Sequence, residues 1–125
     1  MSQELDIIFS SSETKIEEFE FKGKKVKVKV REIGWTEKNK GLSQCFQYQT
    51  DGTIKFDFDK YNKEMLKRMV IGITVGDTEV PASELNEIFF ARLNSSFGNM
   101  LERLVPKAFE EIGISDFFVK GQNNL

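Results

Sequence analysis

Apolar and polar residues alternate strictly from Glu17 onward. Phe19 and Phe21 interleave with Glu18 and Glu20, the run Lys22-Gly23-Lys24-Lys25 interrupts, and Val26, Val28 and Val30 then interleave with Lys27, Lys29 and Arg31. Period-two alternation on both sides of a short glycine-containing break predicts a β-hairpin. Matching like side chains across it favours a four-residue loop, Lys22 to Lys25. That loop pairs Phe21 with Val26 and Phe19 with Val28, and sets Glu20 against Lys27 and Glu18 against Lys29. A two-residue loop would oppose Phe21 to Lys24 and Glu17 to Val28. One face is then Phe and Val, and the other a ladder of Glu and Lys.

Further along, the period changes. Thr36 is a candidate helix cap, with Leu42, Cys45 and Phe46 on one helical stripe. The segment from Tyr48 to Asp51 breaks it, and Asp51-Gly52 marks a turn. Ile54, Phe56 and Phe58 alternate as a third strand. Asp59 is expected to cap a helix from Lys60 to Ile71, with Tyr61, Met65, Leu66, Met69 and Val70 as its inward band. Gly72 to Pro81 reads as a loop or short hairpin. A helix beginning at Ala82 or Ser83 carries Leu85, Ile88, Phe89 and Leu93, and a last one carries Phe97, Met100, Leu101, Leu104 and Val105. Pro106 kinks or restarts that helix, and Gly113 suits its end. Strands first and helices after predict an α+β domain: an N-terminal antiparallel hairpin and a third strand against about four amphipathic helices. The expected organisation is an arm over 1–15, one domain over 16–113 and a tail over 114–125. The apolar knot from Leu5 to Phe9 is either part of that loose arm or a strand added to the sheet edge.

Composition narrows the chemistry more than it names it. The chain has 125 residues, 18 basic and 20 acidic, for a net charge of -2, and no His. Ser–His and Cys–His catalytic pairs and imidazole metal ligands are therefore excluded. A single Cys allows no internal disulfide, fits a reducing compartment, and sits on an apolar stripe as a small hydrophobe. Among the acids, Asp57 and Asp59, Glu17 and Glu18, and Glu110 and Glu111 are neighbours in sequence only, and Gly23-Lys24 lacks phosphate-loop spacing. No enzyme, metal or cofactor is expected. Without a signal-peptide pattern or an apolar run of membrane length, the expected place is the cytoplasm.

Two surfaces remain as binding candidates. Six cations fall within residues 22–31, so Lys27, Lys29 and Arg31 form a basic face suited to nucleic acid, although Glu18 and Glu20 oppose it and no aromatic residue is interleaved to stack bases. Phenylalanine is the commoner signal, with 12 residues. Phe90, beside Phe89, is expected to point off its helix's apolar side, and Phe117 and Phe118 follow the last helix stop. All three are candidate protein contacts. The competing reading of the tail is that it folds back over the sheet.

The order of these pieces resembles the tail assembly chaperones of long-tailed phages and archaeal tailed viruses. The resemblance runs over about residues 18–112. It begins at the stretch from Phe19 to Ile33 and continues through Gly34-Trp35-Thr36-Glu37-Lys38-Asn39, Asp51-Gly52, the Phe58-to-Tyr61 helix start, Pro81 to Leu85, and Leu101 to Val105. It implies a non-catalytic protein that holds the tape-measure protein, and in some cases tail tube subunits, until the tail is built. The basic strand is no part of the resemblance. A structural virion component, such as a head–tail connector or tube-end protein, is the alternative in the same context. A small nucleic-acid-binding regulator is the alternative in a different one.

Overall fold

A computed structural model describes residues 3–109. The chain is α+β and opens, after a short exposed helix α1 (Gln3–Asp6), with the N-terminal hairpin of β1 (Thr14–Phe21) and β2 (Lys24–Arg31). The Leu5-to-Phe9 knot does not form a strand: its first residues are helical, and the arm is tied just beyond the hairpin by Ser11 N–H donating to Glu32 Oε2 at 2.7 Å.

The hairpin corrects the expected register. Phe21 pairs with Lys24, Phe19 with Val26, Glu18 with Lys27, Glu17 with Val28 and Ile16 with Lys29. The loop is thus the two residues Lys22 and Gly23, with φ of 49° and 77°. Positive φ at both central positions is the turn whose twist matches that of the flanking strands, and Gly23 suits it without strain. Matching like side chains chose the wrong loop, because the buried face itself does not distinguish the two. The two registers differ by two residues, so both keep Phe and Val on one face, and turn geometry decides.

After β2 comes α2 (Trp35–Ser43). Its N-cap is Gly34, with no side-chain cap, rather than Thr36. The helix stops before Cys45, so Phe46 is not on its stripe but begins β3 (Phe46–Tyr48), which pairs with β4 (Ile54–Phe56) across a turn containing Asp51 and Gly52. Phe58 belongs not to that strand but to α3 (Phe58–Met69), which Asp57 caps by accepting from Lys60 N–H at 3.0 Å. Asp59, the expected cap, instead accepts from Lys63 at 2.6 Å.

Helix α3 ends two residues earlier than its apolar band suggests. Val70, Ile71, Ile73, Thr74 and Val75 are β-branched, and they form β5 (Val70–Val75) directly from the helix end. Gly76, at φ 60°, turns β5 into β6 (Thr78–Val80), so the short-hairpin reading of this segment is the one that holds. The main sheet has the order β1-β2-β5-β6, and β3-β4 is a separate two-stranded ribbon. A bulge at Ile71 shifts the β2-β5 register between Lys29 and Val30, which keeps both Val70 and Ile73 facing inward. A 3₁₀ turn (Ala82–Glu84), α4 (Glu87–Ala91) and α5 (Ser95–Glu102) follow. Asn86 and Asn94 cap the two helices through Phe89 N–H and Phe97 N–H, at 3.1 and 2.8 Å.

Helix α3 divides the core. On one side Leu66 joins Val26, Val28, Val30, Val70 and Ile73 of the sheet and Leu85, Phe90, Phe97 and Leu101 beyond it. On the other side Tyr61, Met65 and Met69, spaced by four and so on one face, pack with Cys45. Gly41 of α2 lies directly against the Met65 methyl, and a Cβ there would collide with it. Leu104 and Val105 pack against both clusters.

Candidate protein-binding surfaces

The basic face exists as a face but not as a free one. Lys27, Lys29 and Arg31 share the side of the sheet opposite the core, where β1 supplies Glu18 and Glu20. The corrected register brings Lys27 Nζ within 3.7 Å of Glu18. Arg31 forks onto Glu37 of α2, its two terminal nitrogens donating at 3.1 and 2.6 Å. Arg68 of α3 approaches the same carboxylate at 3.8 Å, and Glu64 receives Lys67 at 2.9 Å. The hydrogen bond from Arg31 is the main reason the Glu37 carboxyl lies below its ordinary range, burial opposing it. Burial raises the Glu64 carboxyl, but Lys67 and Arg68 outweigh it and the net shift is downward. These charges bind β2, α2 and α3 to one another. Of the three basic candidates only Lys29, facing Ile16, has no ion pair among the described residues.

Phe90 is not a surface residue. It is 5% exposed and sits in the main core, while Ile88 takes the outward position. The cap at Asn86 starts α4 later than the sequence pattern suggests, and that rotates Phe90 inward beside Phe89. The apolar bands of α3 and α5 are used inside, as their spacing predicts: the α3 band by both clusters, and Phe97 and Leu101 of α5 by the main one. Phe117 and Phe118 lie outside the described residues. Among the described residues no three acidic or thiol side chains are grouped to hold a metal ion, and no helix is long and apolar enough to cross a membrane. Cys45 is fully buried, its thiol donates to Gly41 C=O at 3.3 Å, and burial pushes its pKa up.

Among the described residues, one exposed apolar surface lies on the ribbon. Because β3 and β4 pair Phe46 with Phe56 and Tyr48 with Ile54, all four side chains project from one face, and Gln47 and Lys55 project from the other. Phe56 is the hub of an aromatic cluster, with ring centroids 5.1 Å from Phe46, 4.7 Å from Phe58, 5.8 Å from Tyr61 and 5.2 Å from Phe109. Tyr61 anchors this cluster to the second core. Ile54, Phe58 and Phe109 are each at least half exposed, and Tyr48 is 80% exposed. The pattern was available in the sequence: Phe46-x-Tyr48 and Ile54-x-Phe56 are symmetric about Asp51. A second apolar surface joins Ile7, Ile8 and Phe9 of the arm to Ile33 and Trp35 at the start of α2. The chain matches no protein-family model, no curated protein and no solved structure.

Proposed function

We propose that this chain acts by binding protein, without catalysis, and that its role is that of a viral tail assembly chaperone holding a tape-measure protein, and in some cases tail tube subunits, in the host cytoplasm. The observation that carries the binding reading is the exposed aromatic face of the ribbon. Contiguous apolar surface rimmed by polar groups is a recurrent mark of protein contact, and rigid aromatics dominate the energy of such contacts. The viral role rests on the resemblance in the order of elements over residues 18–112. A chaperone needs apolar surface to offer and a charged remainder to keep it soluble, and the outer sheet face supplies the latter.

The test is co-expression with the tape-measure protein encoded beside it. The wild type should keep that protein soluble and co-purify with it, and Tyr48→Ser/Ile54→Ser should lose both effects while its melting temperature changes little. An insoluble partner, or equal recovery with both forms, would overturn the ribbon's role. Presence in purified particles would instead favour a connector or tube-end component. The nucleic-acid alternative is weakened by the pairing of Lys27 and Arg31.

A further inference from the structure

The main sheet has one long open edge. Strand β1 spans eight residues and, among the described residues, pairs only with β2, whereas β6 at the opposite edge has three. Lys25 C=O accepts from Gly76 N–H at 2.8 Å, so Lys25, Lys27 and Lys29 turn their backbone groups toward β5. Val26, Val28 and Val30 therefore bond β1, through Phe19, Glu17 and Lys15. That leaves the N–H and C=O groups of Thr14, Ile16, Glu18 and Glu20 directed outward, and among the described residues no other element bonds them. Lys15 and Glu17 share the inner side of the sheet with Phe19 and Phe21, yet neither has an ion pair among the described residues. Ile16, on the outer side, is 59% exposed. Inner-side charges on an edge strand discourage indiscriminate pairing with another sheet. These two admit one register.

We propose that β1 is a dimerisation edge, pairing antiparallel with β1 of a second copy about a two-fold axis at Ile16. A symmetric antiparallel pair that keeps both cores on one side must centre on a residue, and charge decides which one. Centred on Lys15, Glu17, Glu18 or Glu20, the pair opposes a charge to its own copy, and centred on Phe19 it opposes Glu18 to Glu20. Centres at Thr14 and Phe21 run off the ends of the strand. Centred on Ile16, Lys15 of each copy faces Glu17 of the other. These are non-hydrogen-bonded positions, where opposed side chains come closest, with Cα atoms about 4.5 Å apart. The same register lets each Ile16 exchange both backbone bonds with its twin, and Thr14 with Glu18 of the second copy. The exposed Ile16 side chains meet at the axis, and two four-stranded sheets become one. The ribbon takes no part, so the dimer stands independently of the binding role proposed for it.

Sedimentation equilibrium of the full chain, from micromolar to several hundred micromolar, tests this. Wild type should approach twice the monomer mass across that range. Lys15→Glu and Glu17→Lys each convert both ion pairs into like-charge pairs, and each should weaken the dimer about tenfold or more. Neither side chain is buried, so both variants should keep the wild-type circular dichroism spectrum. The exchange Lys15→Glu/Glu17→Lys returns opposite charges to the register and should restore the dimer. An equimolar mixture of the two single variants should also pair, because each then faces its opposite. A monomeric wild type would overturn the proposal. So would single variants that dimerise as wild type does, or a double exchange that stays monomeric.

Discussion

Tyr61 connects three parts of the molecule through one side chain. Its ring lies in the second core and against Phe56, and its hydroxyl donates to Pro106 C=O at 2.7 Å, holding the chain after α5 against α3. Burial, with a smaller contribution from Cys45, pushes its pKa up to about 12. Removing the hydroxyl in Tyr61→Phe leaves that carbonyl without its donor and should destabilise the fold by about 1–2 kcal/mol. Because the folded-state pKa is raised above the ordinary 10, the stabilisation is complete below pH 10 and declines as pH rises through about 12. Urea midpoints of wild type and variant should therefore differ by a constant amount from pH 7 to 10 and converge above it. The row Tyr61, Met65, Met69 was legible in the sequence from its spacing of four. The bond to Pro106 was not, because it joins residues 45 positions apart.

At the scale of elements, the hairpin shows which information alternation carries and which it lacks. Phe19, Phe21 and the three valines identify the strands and the buried face, but a two-residue shift leaves that face unchanged. The loop was settled by Lys22, a non-glycine residue at φ 49°. Asn tolerates this conformation better than Lys, so Lys22→Asn should stabilise the protein by about 0.5 kcal/mol, net of the weak contact of Lys22 over the Phe21 ring at 5.6 Å. A denaturant midpoint raised with an unchanged slope would confirm it, and a lowered midpoint would contradict it. Other elements were hidden for different reasons. The start of β5 continues the apolar band of α3, and only its β-branched composition marks the change. β3 was masked because Leu42, Cys45 and Phe46 happen to fit helical spacing, although the helix ends at Ser43.

Over the whole molecule, charge joins what the two cores separate. Glu37 links the end of β2 to α2 and α3 through Arg31 and Arg68, and Glu64 reinforces α3. Both carboxyls are held below their ordinary value of 4.5, so their stabilisation is present above that value and disappears as pH falls through the lower folded-state pKa. Glu37→Gln should lower stability at pH 7 and flatten its decline on acidification below 4.5. Parallel acid-unfolding curves for wild type and variant would show Glu37 has no such role. The orientation of Phe90 was misread in the sequence. Phe90 was chosen because adjacent aromatics cannot both face inward on an ideal helix, yet in five residues of α4 the cap rotates both toward the core.

Separation of the ribbon from the main sheet has an evolutionary consequence. Strands β3 and β4 form a sheet of their own, and their exposed face makes no demand on the packing of β1, β2, β5 and β6. Substitutions at Tyr48 or Ile54 can therefore accumulate while the register of the larger sheet stays the same. The ribbon behaves as an exchangeable cassette, its outer face free to vary while Tyr61 keeps its base attached to the second core.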